Sequence, residues 1–213
     1  MISRDFEKLI NSFTKLPTVG MKTAERFAYS IINMNREDAE NLAKNIMDVK
    51  NNVKQCNICG NFSTNNICEI CETRNSDIIC EVKERKDVVN FEKIKNFNCL
   101  YHILNGTLSP MKNITPDDLN ITSLLKRISN GEVSEIILAL GTDVEGEATS
   151  MYLTGLLKSL GVKISRLAQG ISLGAELEYV DSATLQKAFI DRKEVWQCHL
   201  FLFYSKQFVW LYA

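Results

Sequence analysis

The sequence predicts an α+β protein of several modules: a helical amino terminus, a small four-cysteine module, and an α/β module with a mainly parallel sheet. Three observations predict this class. Apolar residues recur at helical spacing as far as Val53. Two closely spaced cysteine pairs follow. Beyond them, short apolar runs alternate with helical stretches, which is typical of a parallel sheet covered by helices.

Composition places the chain among globular proteins. Its 213 residues are 45% hydrophobic, enough to bury the core of one large domain or of two or three small ones. The formal net charge of -1 gives no overall attraction to nucleic acid, so any DNA contact must be local. Residues 1–13 match neither a signal peptide nor a membrane span, so we expect a cytoplasmic protein without membrane contact.

The amino-terminal module is predicted to be a helix, a tight hairpin and further helices. Apolar side chains keep a helical period up to Phe13, and Pro17 and Gly20 then interrupt it. A second helix is expected from about Lys22 to Ile32 and a third from about Glu37 to Val53. The third helix carries an apolar stripe of Ala39, Leu42, Ala43, Ile46, Val49 and Val53.

The hairpin that ends at Gly20 is suited to binding a phosphate. A turn leading into a helix presents unpaired backbone N–H groups at the positive end of the helix dipole. Lys22 and Arg26 lie one turn apart on the same helix face and would add positive charge there. Such contacts hold a DNA backbone without reading its sequence. A plain helix linker fits these residues alone equally well.

Cys56, Cys59, Cys68 and Cys71 predict one structural Zn²⁺. Two residues separate the cysteines within each pair and eight separate the pairs, so the two turns can place four thiolates tetrahedrally. Because cysteine fills every position, no site remains for water or substrate. Gly60 follows the first pair, where a positive φ would let the chain turn back. Two unrelated redox or buried cysteine pairs are the alternative.

Four strands are predicted in the remaining sequence: Ile78–Val82, Leu100–Leu104, Glu135–Leu140 and Val162–Leu167. One intervening helix should begin with Thr115 as N-cap and Pro116 at its first position, and another should begin near Glu145. Cys80, Cys99 and Cys198 lie among apolar residues and are predicted to be ordinary buried cysteines.

We divide the sequence into a helical module at residues 1–54, a zinc module at 55–75, an α/β module at 76–175 and a carboxyl-terminal segment at 176–213. The last segment has an atypical apolar and aromatic tail from about Val195. A β-hairpin covering a sheet edge and the product of an altered reading frame both remain open for this tail.

Acidic residues follow two of the predicted strands. Glu84 and Asp87 come after the first, and Asp143, Glu145 and Glu147 after the third. Both groups should lie at the carboxyl edge of the sheet, where open α/β folds bind ligands. Clustered carboxylates there could hold Mg²⁺. The alternative is that they cap the helices that follow, and the residues alone favour it slightly.

Taken in order, these modules resemble one family, the bacterial recombination mediator RecR. The hairpin resembles the helix-hairpin-helix motif Leu-Pro-Gly-Val-Gly, with Thr18 in place of the first glycine. The resemblance covers about Phe6 to Arg192. The α/β module resembles toprim at Val82–Val88, Leu100–Leu104 with Gly106, Leu108–Pro110, Val144–Thr149 with Tyr152, Arg166–Gly170, and Leu177–Asp181 with Thr184 and Leu185.

The resemblance implies a non-enzymatic protein of recombinational DNA repair. It implies a dimeric or tetrameric ring around DNA that, with RecO and RecF, helps to load RecA at single-strand gaps in the nucleoid. Carried onto this sequence, Gly20, Lys22 and Arg26 would contact gapped, single- or double-stranded DNA without sequence specificity. The toprim surface that binds RecO would be lined by Glu84, Asp87, Glu145 and Glu147, and it could attract a basic partner without a metal.

Two other functions stay open. The first is a Mg²⁺-dependent toprim nuclease or primase-like enzyme that uses the acidic residues. The sequence offers no tyrosine or histidine clearly placed as a nucleophile beside them. The second is a zinc-ribbon adaptor that binds only protein.

Overall fold

The structure is a computed structural model that describes residues 3–130 and 133–193. By internal contacts the chain forms two compact units, Met1–Ser165 and Arg166–Ala213. The predicted tail and Cys198 lie outside the described residues. Within the described ranges, no helix has both the length and the apolar character needed to cross a membrane.

Three helices begin the first unit, close to their predicted bounds: α1 at Arg4–Phe13, α2 at Met21–Asn33 and α3 at Arg36–Asn52. Helices α1 and α2 pack around Ile10, Ala24 and Ala28. Because both alanines are fully buried and have the smallest side chains that still favour a helix, they let the two helices approach closely. The rim of this core is Phe6, Leu9, Phe13 and Val19.

Helix α3 has a well-defined start but buries none of its residues. The Asn35 side-chain oxygen caps it by accepting the Asp38 backbone N–H at 2.8 Å. Along the predicted apolar stripe, Ile46 is 59% and Val49 60% exposed. The stripe is therefore an apolar face that a single chain leaves in contact with water.

The zinc module consists of a short antiparallel hairpin and one helical turn. Strand β1, Lys54–Gln55, pairs with β2, Phe62–Ser63. Helix α4 follows at Glu69–Thr73. Three of the four cysteines are buried, so they replace the apolar core that so small a module otherwise lacks.

A four-stranded sheet in the order β4-β3-β5-β6 forms the centre of the α/β module. The strands are close to their predicted bounds: β3 at Ile78–Val82, β4 at Leu100–Ile103, β5 at Glu135–Ala139 and β6 at Lys163–Arg166. Strand β3 pairs in parallel with both β4 and β5. Helices α5 at Arg85–Phe91, α6 at Ile121–Ser129 and α7 at Val144–Leu157 complete this module within the first unit.

The prediction that an α-helix starts at Thr115 was wrong. Thr115 and Asp118 do form a capping box, but the helix stops after the single 3-10 turn Pro116–Asp118. Leu119 then becomes extended and buried, and the Asn120 backbone N–H donates to the Leu104 carbonyl at 3.0 Å. This long-range bond interrupts the helix, and α6 begins only at Ile121.

The second unit has one described α-helix, α8, at Ser182–Ile190. Asp181 caps it by accepting the backbone N–H groups of Ala183 and Thr184 at 3.0 and 2.9 Å. Before it lies a 3-10 turn, Leu177–Tyr179. None of the residues of α8 is buried.

Candidate functional site

The four predicted zinc ligands come together. Their Sγ atoms all lie within 4.8 Å of one another, as a single tetrahedral ion requires. Cys56 and Cys59 come from the turn after β1, Cys68 is the N-cap of α4, and Cys71 lies within that helix. Within the described residues, no other group of three or more histidine, cysteine or acidic side chains is close enough to hold a metal.

Backbone N–H groups point at two of these sulfur atoms. Ile58 and Cys68 donate to Cys56 Sγ at 3.4 and 3.3 Å, and Asn61 donates to Cys59 Sγ at 3.4 Å. Such donors stabilise thiolate, the form of cysteine that binds metal. Gly60 has φ +80°, which confirms the predicted turn after the first cysteine pair.

The thiol pKa values explain why the cluster needs a cation. A hydrogen bond from Cys71 lowers the pKa of Cys59 to about 5, and the same bond raises the pKa of Cys71. Burial raises the pKa of Cys68 to about 11. Without a metal, the Cys59 thiolate is therefore stable and disfavours ionisation of the neighbouring thiols. A Zn²⁺ ion removes that repulsion and allows all four to ionise.

The zinc module is attached to the sheet by direct contacts. The Ile103 backbone N–H of β4 donates to the Cys59 carbonyl at 2.9 Å, so strand hydrogen bonding continues into the metal site. Arg85 Nε donates to the Gly60 carbonyl at 2.9 Å, and its guanidinium lies over the Phe62 ring, 4.7 Å from the centroid. These contacts fix the zinc module against the α/β module.

The hairpin between α1 and α2 is a tight turn with an unusual residue. The Val19 backbone N–H donates to the Leu16 carbonyl at 3.2 Å, with Pro17 and Thr18 between them. Thr18 has φ +66°, as the third position of a type II turn requires. A β-branched residue thus holds the backbone conformation for which the motif normally has glycine.

The start of α2 is open to solvent. Gly20 is its N-cap and no side chain caps it. Among the described residues, the N–H groups of Gly20, Met21, Lys22 and Thr23 meet no acceptor, and the first bond runs from Ala24 to the Gly20 carbonyl at 3.0 Å. A Cβ on Gly20 would have no neighbour within 4 Å. Lys22 and Arg26, both exposed, lie in the first turns of this helix.

Several of the acidic residues act as helix caps. Asp87 accepts the Glu84 N–H at 2.9 Å at the start of α5, and Asp143 accepts the Gly146 N–H at 2.8 Å at the start of α7. Glu84 pairs with Lys86 at 2.8 Å, and that contact lowers its pKa. The capping alternative that the sequence favoured slightly therefore describes these residues well.

Glu145 is held by groups from the loop after β4. It accepts hydrogen bonds from Ser109 Oγ at 2.6 Å and Lys112 Nζ at 3.2 Å, and these bonds lower its pKa. Glu147 also interacts within the chain. In the described chain no three carboxylates approach closely enough to share one metal ion.

Family comparisons agree with this geometry along most of the chain. A model described as RecR, helix-hairpin-helix, matches residues 6–50, and the model of the RecR four-cysteine zinc finger domain matches 53–72. A Toprim domain model matches 77–168, and RecR, C-terminal, matches 170–193. The Recombination protein RecR of Staphylococcus aureus strain MRSA252 is 47% identical over 190 residues, which are 88% of this chain and 96% of that protein. The proteins of strains Newman and COL show the same identity and coverage.

The chain belongs to the RecR family. Its four cysteines form the structural zinc site of the RecR zinc finger, and its sheet with α5 to α7 is a toprim domain. RecR proteins are recombination proteins, which places this chain in recombinational DNA repair.

The roles of two residues in this RecR chain, Glu81 and Arg85, were not predicted from the sequence. Glu81 is fully buried in β3, opposite His102 in β4. Burial raises the pKa of Glu81 to about 8 and lowers the pKa of His102 to about 4, so both are neutral near pH 7. A carboxylate inside an apolar strand was the available signal for Glu81. Arg85 had none, because its contacts with the zinc module are long-range.

Proposed function

We propose that this chain is a DNA-binding recombination mediator that acts as an oligomeric clamp, with RecO and RecF, to promote RecA loading at single-strand gaps. The observation that carries the proposal is the open start of α2, where unpaired N–H groups, Lys22 and Arg26 face solvent. Such a site binds a phosphate of the DNA backbone whatever the base sequence. We place this activity at the nucleoid, in the cytoplasm.

Self-association into a dimer or tetramer ring is supported by the open apolar face of α3. A helix with Ile46, Met47 and Val49 more than half exposed gains little from its apolar side chains in a single chain. A second copy would bury them. A ring would also present several hairpins to one DNA, which raises its overall affinity through effective concentration.

We assign the RecO contact to the acidic toprim surface of Glu84, Asp87, Glu145 and Glu147. Carboxylates at the carboxyl edge of the sheet would attract a basic partner face. Ser109 and Lys112 fix the orientation of Glu145. Asp87 of this surface caps α5, and the neighbouring Asp143 caps α7. These carboxylates therefore have a structural use without Mg²⁺, which supports a non-enzymatic role over a toprim nuclease or primase.

The hairpin is tested by reversing both of its charges. Lys22→Glu with Arg26→Glu should weaken binding to gapped duplex DNA and reduce the slope of log K against log salt by roughly 2, because each cation releases about one counterion. The matched control is Lys95→Glu with Lys158→Glu, which makes the same charge change at exposed toprim positions. An unchanged slope in the hairpin variant would contradict the assignment.

The partner surface is tested by Glu84→Lys. It should weaken RecO binding while DNA binding stays at the wild-type level, and Glu72→Lys, at an exposed position of the zinc module, should change neither. Undiminished RecO affinity in Glu84→Lys would count against this surface.

A further inference from the structure

A cavity of about 480 Å³ lies between the zinc module and the sheet. Ile79 and Leu100, which are register partners at the starts of β3 and β4, form part of its wall. The acidic residue Glu84 follows the other end of β3. Open α/β folds bind ligands at the carboxyl edge of their sheet. This cavity is at the opposite edge and is therefore distinct from the acidic toprim surface.

The described walls of this cavity contain cationic side chains and no Asp or Glu, and the zinc ligand Cys71 also borders it. Arg74 is neutralised by Glu92, which accepts from its two guanidinium nitrogens at 3.0 and 2.9 Å. Arg127 donates to the Tyr101 carbonyl at 2.7 Å, and that acceptor carries no net charge. Lys126 is exposed and has no acidic partner among the described residues. Lys126 and Arg127 thus place two positive charges at the cavity that no described Asp or Glu side chain pairs with.

The remaining walls can contact a base or a sugar. Amide and hydroxyl groups that can both donate and accept hydrogen bonds come from Asn57, Asn75, Asn130, Ser76 and Ser123. Ile58, 36% exposed in the zinc module, adds an apolar surface beside them. The volume falls within the range of about 300–1,000 Å³ typical of small-ligand sites, which is enough for a nucleotide.

We propose that this cavity is a second phosphate site, which binds one nucleotide unit through Lys126 and Arg127. The amides and hydroxyls of the wall contact the attached nucleoside. The same chemistry fits a nucleotide of a single DNA strand and a free nucleotide. If the bound nucleotide belongs to a DNA strand, the inference rests on the proposed DNA-binding function. If it is a free nucleotide, it does not.

One other role would place the same cations here. Lys126 and Arg127 lie in the last turn of α6, where positive charge offsets the helix dipole. That role predicts a small loss of thermal stability on charge removal, with no effect on the affinity for phosphate ligands. The two roles therefore differ in a measurable way.

The test measures ligand affinity in a zinc-loaded full chain that carries Lys22→Gln and Arg26→Gln, so that the hairpin contributes little. The probes are deoxythymidine 5′-monophosphate and a short 5′-phosphorylated oligodeoxythymidine, measured by isothermal titration calorimetry. Lys126→Glu should weaken binding about tenfold, the expected loss of one charge-assisted contact. Lys95→Glu, at an exposed lysine outside the cavity, should leave it unchanged.

The outcomes separate the sources and the proposals. Binding of the oligonucleotide alone assigns the site to a strand, and binding of both probes extends it to free nucleotides. Absence of binding by both probes, equal loss in Lys126→Glu and Lys95→Glu, or a stability change in Lys126→Glu without an affinity change would overturn the cavity site. The difference between Lys126→Glu and Lys95→Glu separates binding at the cavity from residual binding at the hairpin. The test of the hairpin itself reverses charges in a chain whose cavity is unchanged.

Discussion

The zinc module and helix α3 are neighbours in sequence, but the first is fixed by buried side chains and the second is not. Cys56, Cys59 and Cys68 are at most 4% exposed, although their module has only two short strands and one helical turn. Helix α3 has 17 residues and buries none of them. A short segment can therefore be fixed in place while a long, regular helix beside it in sequence is left open.

The difference lies in what each segment uses for stability. The zinc module relies on a metal and on contacts with β4 and Arg85, all available within one chain. Helix α3 relies on an apolar stripe, which stabilises a helix only when another surface covers it. We therefore expect the zinc module to control the stability of the single chain, and α3 to control its association.

Loss of zinc should have the largest effect on folding. Cys56→Ser removes one of the four ligands, so the remaining three cysteines should bind Zn²⁺ more weakly. The free energy of unfolding should fall by on the order of 5 kcal/mol or more, because metal binding at such a site is folding free energy. Urea denaturation with and without a chelator measures this.

The control for that variant is Cys99→Ser, which removes a thiol outside the metal site. It should keep one zinc per chain by metal analysis. Unaltered stability of the wild-type chain after complete zinc removal would show that the metal does not hold this module.

Buried Glu81 and His102 should make stability depend on pH. Burial raises the pKa of Glu81 from 4.5 to about 8 and lowers the pKa of His102 from 6.5 to about 4. From pH 4.5 to 6.5 the unfolded chain carries both charges and the folded chain neither, so the two states bind equal numbers of protons. Above pH 6.5 only folded Glu81 retains its extra proton, so stability should fall by about 2 kcal/mol as pH approaches 8.

Glu81→Gln should remove most of this loss, because its amide does not titrate. Glu72→Gln, at an exposed position, should leave the loss as in the wild type. Urea denaturation at both ends of this pH interval gives the comparison. A Glu81→Gln chain that lost as much stability as the wild type would contradict the assignment. The core of α1 and α2 has no buried titratable group and should not contribute.

Thr18→Gly should stabilise the hairpin module slightly. The left-handed backbone at Thr18 costs about 1–2 kcal/mol for a residue with a Cβ, and the greater freedom of glycine when unfolded offsets part of this. The net gain should be at most about 1 kcal/mol in thermal or urea denaturation. A loss of stability would mean that the Thr18 Oγ1 contact with the Pro17 carbonyl outweighs the strain.

Ile46→Asp should have the smallest effect on the single chain and a clear effect on association. Because Ile46 is 59% exposed, the free energy of unfolding of the monomer should change by no more than about 0.5 kcal/mol. Sedimentation velocity should show smaller oligomers. Glu40→Gln, at an exposed position of the same helix, serves as the control. Wild-type assembly by Ile46→Asp would exclude this face from the interface.

Local patterns in the sequence predicted most of the fold. The cysteine spacing located the metal site, and apolar runs located all four strands of the large sheet, because both signals lie within a few residues. The predicted start of α6 was wrong, because a hydrogen bond from the Asn120 N–H to the Leu104 carbonyl sets where this helix begins. That bond joins residues distant in sequence.

The candidate sites were predictable to different degrees for the same reason. Lys22 and Arg26 lie on one helix face by period alone, and their exposure could be anticipated. The contact of Arg85 with Gly60 and the pairing of Glu81 with His102 in strand register can be seen only in the folded chain. So does the cavity beside Lys126, whose wall combines the zinc module with the sheet and α6.

Amide hydrogen exchange with and without gapped duplex DNA tests the central claim most directly, since the N–H groups that should bind phosphate are unpaired in the free chain. We predict that the amides of Gly20, Met21, Lys22 and Thr23 exchange rapidly without DNA and become protected when DNA is added. The protection should be lost in the chain with Lys22→Glu and Arg26→Glu. DNA binding that protects other segments and leaves these four amides unchanged would contradict the proposed function of the hairpin.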